Sequence, residues 1–351
     1  MITGMDRLNA ALNGMTSDRI PVFCNLFDQG AHELGLSLPD YYARGECVAE
    51  AQLKMRARYG YDNVWSLFYV GKEAELLGCR KIIFAQDGPP NVEDFVIRSY
   101  DDIHRLEIPA DISTHPAFEE TQKCLRILRA EVGGTYPICA YITASMALPA
   151  LLMGMDKWME LLFMGPATVR DELLAKCHDF FVKELLAYRQ AGADVLVYSN
   201  PFGSTDIVPM KFYLAHSLPW IEKDIQAVGT QGLVYYCGMA RLNAALDSVL
   251  QRTGISIYYL SPLDDIRQGK TAIAGRGLTC GVINDIPLID WSKDEIRHEV
   301  RRIIEAGLPG GRFLFGTGLM PCCIPEENIR AMLEAAYEFG QYETQEAPCP
   351  K

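Results

Sequence analysis

Cys237 is the first residue whose type and position suggest chemistry, because it ends an apolar run in the segment GLVYYCGMA at 232–240. Three roles are open to it: one ligand of a metal site, a nucleophile, or a small core residue. A nucleophilic cysteine needs a nearby base, and no histidine stands near it in the sequence. The role of Cys237 therefore depends on which side chains the fold brings to it.

Other side chains that can form hydrogen bonds stand at the ends of similar runs. They are Asn25, Asp28, Ser66, Tyr69, Thr143, Ser145, Tyr198, Asn200, Asp206, Tyr235, Ser261, Asp264, Asp265, Asn284, Asp285, Thr317 and Met320. This set is rich in neutral hydrogen-bonding groups and contains no histidine. The six histidines of the chain fit surface or helix positions better than ligand positions.

The elements that must position these residues are eight short apolar runs, typical of buried parallel strands. The runs cover 20–26, 62–68, 137–143, 194–200, 232–238, 255–261, 278–284 and 312–318. Helix-like stretches separate them; in 170–190, apolar residues recur at spacings of three and four. Eight such units predict an α/β fold, a single (β/α)8 TIM barrel, whose functional groups lie at the carboxyl ends of the strands.

One segment interrupts the alternation. Around a Gly-Pro-Pro turn, KIIFAQDGPPNVEDFVIRS at 81–99 has two alternating stretches, which predict a hairpin inserted near residues 80–100 beside the barrel mouth. No repeat or Gly/Ser linker divides the chain, so we expect one domain over 1–345 and a flexible tail at 346–351.

Composition narrows the function. The chain is 49% hydrophobic and 22% charged, as expected of a globular protein, and its net charge of -12 disfavours binding to nucleic acid or an anionic membrane. No signal-peptide pattern or long apolar span is evident, so a cytoplasmic protein is expected. The eleven cysteines should then be mostly reduced core residues.

Four segments, in their order and spacing, resemble the uroporphyrinogen decarboxylase superfamily, which includes the cobalamin-dependent methyltransferases that methylate coenzyme M. They are MDRLNAALNGMTSDRIPV at 5–22, YITASMALPALLMGMDKWMELLFMGPATVRDELL at 141–174, AGADVLVYSNP at 191–201 and PEENIRAMLEAA at 325–336. The resemblance implies a distorted TIM barrel whose mouth binds a tetrapyrrole or a corrinoid. Because members of the superfamily are often homodimers, it also implies a possible homodimer.

The residues that the decarboxylases use are absent. Their aspartate after the second strand corresponds to Ser66 and Leu67 here, and their Gly-His-Gly near the last strand corresponds to Gly316, Thr317 and Gly318. Their arginine-rich first loop is replaced by CNLFDQGAHELG at 24–35. A pocket without those cations suits a substrate with eight carboxylates poorly, so decarboxylation is not expected.

The zinc site of the coenzyme M methyltransferases is also incomplete. Those enzymes use His-x-Cys-Gly after the fifth strand and a second Cys on the last loop. Here Tyr235 takes the place of the His, Cys237 matches the first Cys, and Gly318 takes the place of the second. We therefore expect no metal; a site that joins Cys237 to Cys322 or Cys323 would need a rebuilt loop.

The loss of zinc points to a different methyl acceptor. Zinc helps a thiol acceptor by deprotonating it, whereas the N5 amine of tetrahydrofolate has a free lone pair at neutral pH. The chain thus resembles the zinc-free branch associated with glycine betaine demethylation. This implies methyl transfer from the cobalamin of a partner corrinoid protein to tetrahydrofolate, without zinc, in a reaction where the enzyme mainly aligns the two partners.

We expect Asn200 to be the catalytic residue, because an amide can hydrogen-bond N5 whether or not that nitrogen carries a proton. Substrate-binding roles are expected for the remaining polar candidates: Asn25, Asp28, Tyr198, Asp206, Tyr235, Cys237 and Asn284. Structural roles stay open for several of these residues. Asn200 could be a turn residue before Pro201, Asp28 a loop cap, and Tyr235 a packed aromatic.

Two other functions stay open. One is a zinc-dependent methylcobalamin:thiol methyltransferase with a displaced ligand set. The other is a non-catalytic protein that binds a corrinoid and delivers it to a partner.

Overall fold

Eight parallel strands form the centre of the molecule, seen in a computed structural model that describes residues 2–85, 89–273 and 275–342. The strands within these ranges are β1 Val22–Phe23, β2 Val64–Trp65, β3 Ile82–Ile83, β4 Asn91–Val92, β5 Ile138–Thr143, β6 Val195–Ser199, β7 Leu233–Tyr236, β8 Ile257–Tyr259, β9 Leu278–Ile283 and β10 Phe313–Thr317. The large sheet has the order β1-β10-β9-β8-β7-β6-β5-β2. Each of its strands lies within one of the eight predicted runs, and the predicted barrel is confirmed.

Helices surround this sheet. In the described residues they are α1 Gly4–Asn13, α2 Gln29–Leu34, α3 Leu38–Tyr42, α4 Gly45–Tyr59, α5 Lys72–Leu76, α6 Tyr100–Arg105, α7 Glu119–Val132, α8 Leu148–Met153, α9 Met155–Met164, α10 Ala167–Ala191, α11 Met210–Phe212, α12 Leu218–Val228, α13 Asn243–Thr253, α14 Ile266–Ile273, α15 Lys293–Gly307 and α16 Glu326–Phe339. Helix α15 shows why they form: Ser292 and Glu295 make a capping box, and the stripe of Ile296, Val300 and Ile303 is buried.

The strands divide their side chains between two cores. On β6, Val195 and Val197 face the barrel interior, whereas Leu196 and Tyr198 face the helical layer. This alternation follows from the two-residue repeat of a strand. It decides which residues near the strand ends can reach the barrel mouth.

The barrel is distorted at the seam between β1 and β2, the two ends of the strand order. A backbone hydrogen bond from the Asp62 amide to the Val22 carbonyl (2.8 Å) joins them. Side chains bridge the rest of the seam. Asn63 Oδ1 accepts from the Cys24 amide at 2.9 Å, and the Trp65 indole N–H donates to the Cys24 carbonyl at 3.0 Å.

The amino-terminal end of this seam is held by the buried carboxylate of Asp62. It accepts hydrogen bonds from Arg7 Nη1 at 2.9 Å, from Arg19 Nη1 at 2.5 Å and from the Val22 amide at 2.8 Å. Both arginine side chains are only 13% exposed. A buried carboxylate is tolerated here because several donors replace its water.

The predicted hairpin is present as β3 and β4, which pair antiparallel through Ile82 with Val92 and Ile83 with Asn91. Residues 86–88 of its turn lie outside the described residues, as does the predicted tail at 346–351. Of the helices in the described part of the chain, none combines the length and apolar character needed to cross a bilayer.

Replacing Asp62 by Asn should lower the free energy of unfolding by about 3 kcal/mol, because two largely buried guanidinium groups lose a counter-charge. Unfolding in guanidinium chloride, followed by circular dichroism, measures the change. Asp18→Asn is the matched control. Asp18 pairs with the same Arg7 but is 43% exposed, so this substitution should lower the free energy of unfolding by less than about 1 kcal/mol. Equal losses in the two variants would contradict the role of burial at the seam.

Candidate functional site

Two adjoining cavities open at the carboxyl ends of the barrel strands. The first cavity, of about 430 Å³, is lined by Glu73, Tyr141, Thr143, Ala147, Ala150, Leu151, Met155, Ser199, Pro201, Phe202, Tyr236, Gly238, Met239 and Asp285. The second cavity, of about 380 Å³, is lined by Phe27, Asp28, Tyr42, Tyr69, Pro89, Pro90, Ile289, Met320, Pro321, Cys322 and Cys323. Both share Phe68, Val70, Ile286 and Leu319, so they form one two-part cleft.

Aromatic rings make the wall of the first cavity. The rings of Tyr141 and Tyr236 meet edge to face with centroids 5.9 Å apart, and Phe68 stacks on Tyr141 at 4.9 Å. These tyrosines come from the inward-facing positions of β5 and β7. The cavity therefore offers flat apolar surfaces against which a planar ring could lie.

Asp285, just after β9, places a carboxylate in this cavity. It is 4% exposed, and among the described residues no lysine, arginine or histidine pairs with it. Burial raises the pKa of its carboxyl to about 6. A ligand that donates hydrogen bonds could supply the partner that the protein does not.

Gly318 makes room for this carboxylate. A Cβ atom at position 318 would lie 3.2 Å from Met239 Sδ and 3.3 Å from Asp285 Oδ2, which is tighter than ordinary contact. A cysteine at this position, as in the zinc-dependent pattern, would force those side chains to move.

A second carboxylate, Glu73 at the start of α5, also lines the first cavity. Its Oε1 accepts a hydrogen bond from the Thr143 hydroxyl at 2.7 Å. In the described part of the structure, no lysine, arginine or histidine lines either cavity. The cleft thus favours ligands with N–H donors or positive charge and disfavours anionic ones.

Four of the predicted site residues lie behind the wall of the cleft. Asn200 is fully buried, and neither polar atom of its side-chain amide has a hydrogen-bond partner among the described residues. Its Nδ2 and the Tyr235 hydroxyl both lie beside Gly203, in the helical layer. Tyr198 donates its hydroxyl hydrogen to Asp224 at 2.8 Å, and Cys237 is 1% exposed in the same core.

These four residues miss the cleft because of strand alternation. Their neighbours Ser199, Pro201, Tyr236 and Gly238 line the first cavity, whereas the four themselves line neither cavity. A shift of one residue along a strand changes the face that a side chain occupies. Their predicted contacts with substrate stay predictions.

The other four predicted residues are dispersed. Asp28 lines the second cavity and accepts from the Tyr42 hydroxyl at 2.5 Å, and burial raises the pKa of its carboxyl. Asn25 donates to the Thr317 carbonyl at 2.8 Å. Asp206 pairs with Arg241 at 3.0 Å, and Asn284 accepts from the Ile286 amide at 3.3 Å, as a turn residue does.

Three side chains of the first cavity, Glu73, Tyr141 and Tyr236, were absent from the sequence-based candidates. Asp285 was among the polar residues at the run ends, but Asn284 was preferred to it. Knowledge of the inward face would have selected Tyr141 and Tyr236, since Val197 and Val234 share that face. Glu73 follows a loop after β2, where no sequence periodicity marks it.

The arrangement does not fit a zinc site of the His-Cys-Cys type. Burial raises the pKa of the Cys237 thiol well above its usual range. Cys322 Sγ lies 3.6 Å from His32 Nε2 at the edge of the second cavity, and burial raises the pKa of this thiol to about 11. Over the described ranges, no group of three His, Cys, Asp or Glu side chains is arranged to hold a metal ion.

Comparison with known sequences gives a family and several relatives. The sequence model of the uroporphyrinogen decarboxylase (URO-D) family matches residues 3–339. The chain is 23% identical over 342 residues to the methylcobamide:CoM methyltransferase MtaA of Methanosarcina barkeri, with 95% of this chain and 97% of the relative covered. It is 24% identical over 343 residues to the uroporphyrinogen decarboxylase of Geotalea uraniireducens, with 93% and 97% covered.

A solved structure has the same fold. A methyltransferase from Methanosarcina mazei superposes with a TM-score of 0.83 over 97% of this chain and 99% of the other, at 21% sequence identity. This likeness supports the barrel and its topology.

Replacing Asp285 by Asn should stabilise the folded protein at pH 7.5. The folded-state pKa of this carboxyl, about 6, lies above its ordinary value of 3.8, so the folded state loses stability as pH rises through this range. Removing the charge should raise the free energy of unfolding by about 1–3 kcal/mol above pH 6 and change it little below pH 4. Thermal unfolding at both pH values measures this effect.

The exposed Asp290 provides the matched control, since Asp290→Asn removes a carboxylate from the same loop without changing the cleft. If Asp285→Asn gained the same stability at pH 4 as at pH 7.5, the result would contradict the interpretation that a buried charge at Asp285 destabilises the folded protein.

Proposed function

The chain belongs to the uroporphyrinogen decarboxylase family, and we propose that it is a corrinoid-dependent methyltransferase that methylates N5 of tetrahydrofolate without zinc. The methyl donor is a methylated corrinoid carried by a partner protein. Relatives named methylcobamide:CoM methyltransferases, which align with about 95% of the chain, support the transfer of a methyl group from a corrinoid. The unpaired carboxylate of Asp285 in the aromatic first cavity carries the proposal of tetrahydrofolate as acceptor.

The negative charge of the cleft favours a methyl acceptor whose reacting end is neutral. Coenzyme M has a sulfonate that is anionic at every physiological pH, and uroporphyrinogen has eight carboxylates. Both would face Asp285 and Glu73 without a lysine, arginine or histidine in the described lining. The pterin ring of tetrahydrofolate lies at the opposite end of the molecule from the anionic glutamate tail. It is neutral and presents several N–H donors, which a carboxylate accepts.

Asp285 would bind the N–H edge of the pterin. With a pKa of about 6, its carboxyl is mostly ionised at neutral pH and accepts hydrogen bonds. The rings of Tyr141 and Tyr236 would lie against the pterin and limit its orientation. Holding N5 in line with the methyl group turns a bimolecular encounter into an oriented one, which is the main catalytic effect required.

The rim of the cleft suits a partner with an apolar face. Ile286 and Met155 line the first cavity and are 61% and 52% exposed, and Leu263 after β8 is 68% exposed. A corrinoid protein docked here would cover these side chains. When bound, a methylated corrinoid supplies an electrophilic methyl group at the mouth of the barrel.

A thiol acceptor activated by zinc is the second candidate. The observation that favours it is the alignment, over nearly the whole chain, with relatives whose names specify coenzyme M. The incomplete ligand set at Tyr235, Cys237 and Gly318 weighs against it.

Tetrahydrofolate should bind more tightly as pH rises through about 6, because Asp285 ionises there. Isothermal titration calorimetry from pH 5 to 8 measures this dependence. Asp285→Asn should weaken binding about tenfold to a hundredfold at pH 7.5, the loss expected when one buried charged contact is removed. Asp290→Asn should bind as the wild type does, and unchanged affinity in Asp285→Asn would remove this residue from the site.

The same titration tests Asn200 separately. A tenfold or larger loss in Asn200→Ala would support the predicted contact between its amide and N5. Unchanged affinity would contradict that contact and would leave Asn200 as a buried residue behind the wall of the cleft.

Zinc content separates the two candidates. After dialysis against a chelator, we expect far less than one zinc per chain, and methyl transfer from methylcobalamin to tetrahydrofolate at an undiminished rate. Mass spectrometry of elements and a single-turnover assay give both values. One tightly held zinc per chain, lost in Cys237→Ala, would favour the thiol acceptor instead.

A further inference from the structure

Two buried carboxyl groups interact beside the first cavity, where the negative charge of Glu73 acts on Glu184. Glu73 lies at the start of α5 and Glu184 in the middle of α10, and each residue is 1% exposed. Only Glu73 lines the cavity. Glu184 approaches it from the helical layer, where a glutamate is otherwise rare.

Each of these side chains has one oxygen without a partner. Glu73 is held through Oε1, which accepts from the Thr143 hydroxyl at 2.7 Å and from the Thr143 amide at 3.2 Å. Its Oε2 is buried and unpartnered in the described structure, as is Oε2 of Glu184. A buried carboxylate oxygen without a donor is costly, whereas a protonated carboxyl group can donate to a neighbour.

The groups around the pair do not neutralise it. Lys72, the nearest cation, already donates to Glu75 at 3.0 Å and to the Tyr69 hydroxyl at 3.3 Å. Tyr188, one turn along α10 from Glu184, is buried beside the pair and is neutral at physiological pH. Lys72 therefore offsets only part of the charge of two carboxylates.

Burial, followed by the negative charge of Glu73, raises the pKa of Glu184 well above its usual range, and burial also raises the pKa of Glu73. Two carboxyl groups that share a site of low dielectric constant do not both ionise near neutral pH. The pair thus holds one proton and one negative charge, and it has room for a second proton.

We propose that Glu73, paired with Glu184, takes up the proton that the acceptor amine loses when it is methylated. This proposal rests on the proposed amine acceptor. The nitrogen lone pair forms the bond to the methyl carbon, and the carbon–cobalt bond breaks with its electrons left on cobalt. The N–H bond then breaks, its electrons stay on nitrogen, and the proton moves to the carboxylate of Glu73.

Infrared spectroscopy of the full chain without substrate tests the pair by itself. At pH 7 the wild type should show a carboxylic acid C=O band that exchanges in heavy water. Glu184→Gln should lose this band, because burial keeps the proton mainly on Glu184. Glu73→Gln should keep the band but move the pH at which it disappears to a lower value, because the negative charge of Glu73 is removed. Asp290→Asn, which removes an exposed carboxylate, should keep the wild-type band, and a wild type without such a band overturns the proposal.

Proton release during a single turnover tests the function of the pair. With methylcobalamin and tetrahydrofolate in weak buffer, a pH-indicator dye should report proton release later than methyl transfer in the wild type. Glu73→Gln should lose this delay, and Asp290→Asn should retain it. Simultaneous release in the wild type overturns the role of Glu73 as proton acceptor.

The two measurements distinguish this proposal from the proposed function. A wild type that shows the infrared band but never methylates tetrahydrofolate refutes the amine acceptor, and proton uptake by Glu73 with it. A wild type that methylates tetrahydrofolate without the band refutes the carboxyl pair alone.

Discussion

The closure of the barrel between β1 and β2 is the constraint on which the site depends. These two strands are only two residues long, and they are joined mainly by side chains of the segment 62–65 rather than by a full backbone ladder. Just beyond the two strands, Phe27, Phe68 and Tyr69 line the second cavity. The charged cluster around Asp62 holds the opposite end of the seam. The same pair of strands thus has a stabilising charged cluster at its amino-terminal end and the second cavity at its carboxyl end.

Within the mouth, charge and shape act together. The aromatic wall of Tyr141 and Tyr236 excludes water, and this raises the cost of leaving a carboxylate unpaired. Asp285 carries this cost in a cleft that, among the described residues, no lysine, arginine or histidine lines. Such an arrangement lowers the stability of the free protein and increases its affinity for a ligand that donates hydrogen bonds. The absence of a side chain at Gly318 is part of the same arrangement, since a Cβ atom there would press on Asp285 and Met239.

The family explains the barrel fold, and the residues in which this chain differs from the zinc-dependent pattern suggest the methyl acceptor. A barrel that aligns over nearly its whole length with corrinoid methyltransferases has Gly318 and an outward-facing Tyr235 where their pattern has metal ligands. A thiol acceptor needs help to lose its proton before it attacks, whereas an amine loses its proton only afterwards. A cleft lined by carboxylates is consistent with the proposed amine acceptor, for which the protein must accept a proton rather than remove one beforehand.

The sequence by itself determined the barrel, because the apolar runs and the intervening helix periodicities are local properties that burial in parallel strands requires. Every barrel strand falls within a predicted run, and the hairpin of β3 and β4 was located from its alternation and its turn. The site residues stay predictions. The structure places Asn200, Tyr198, Tyr235 and Cys237 on the face that packs against the helices, whereas other carboxylates and tyrosines line the cleft. Only the tertiary structure decided which of two adjacent residues points inward and brought Glu73 and Glu184, over a hundred positions apart, to one wall. Strand register and helix docking depend on contacts between distant parts of the chain, which local spacing does not encode.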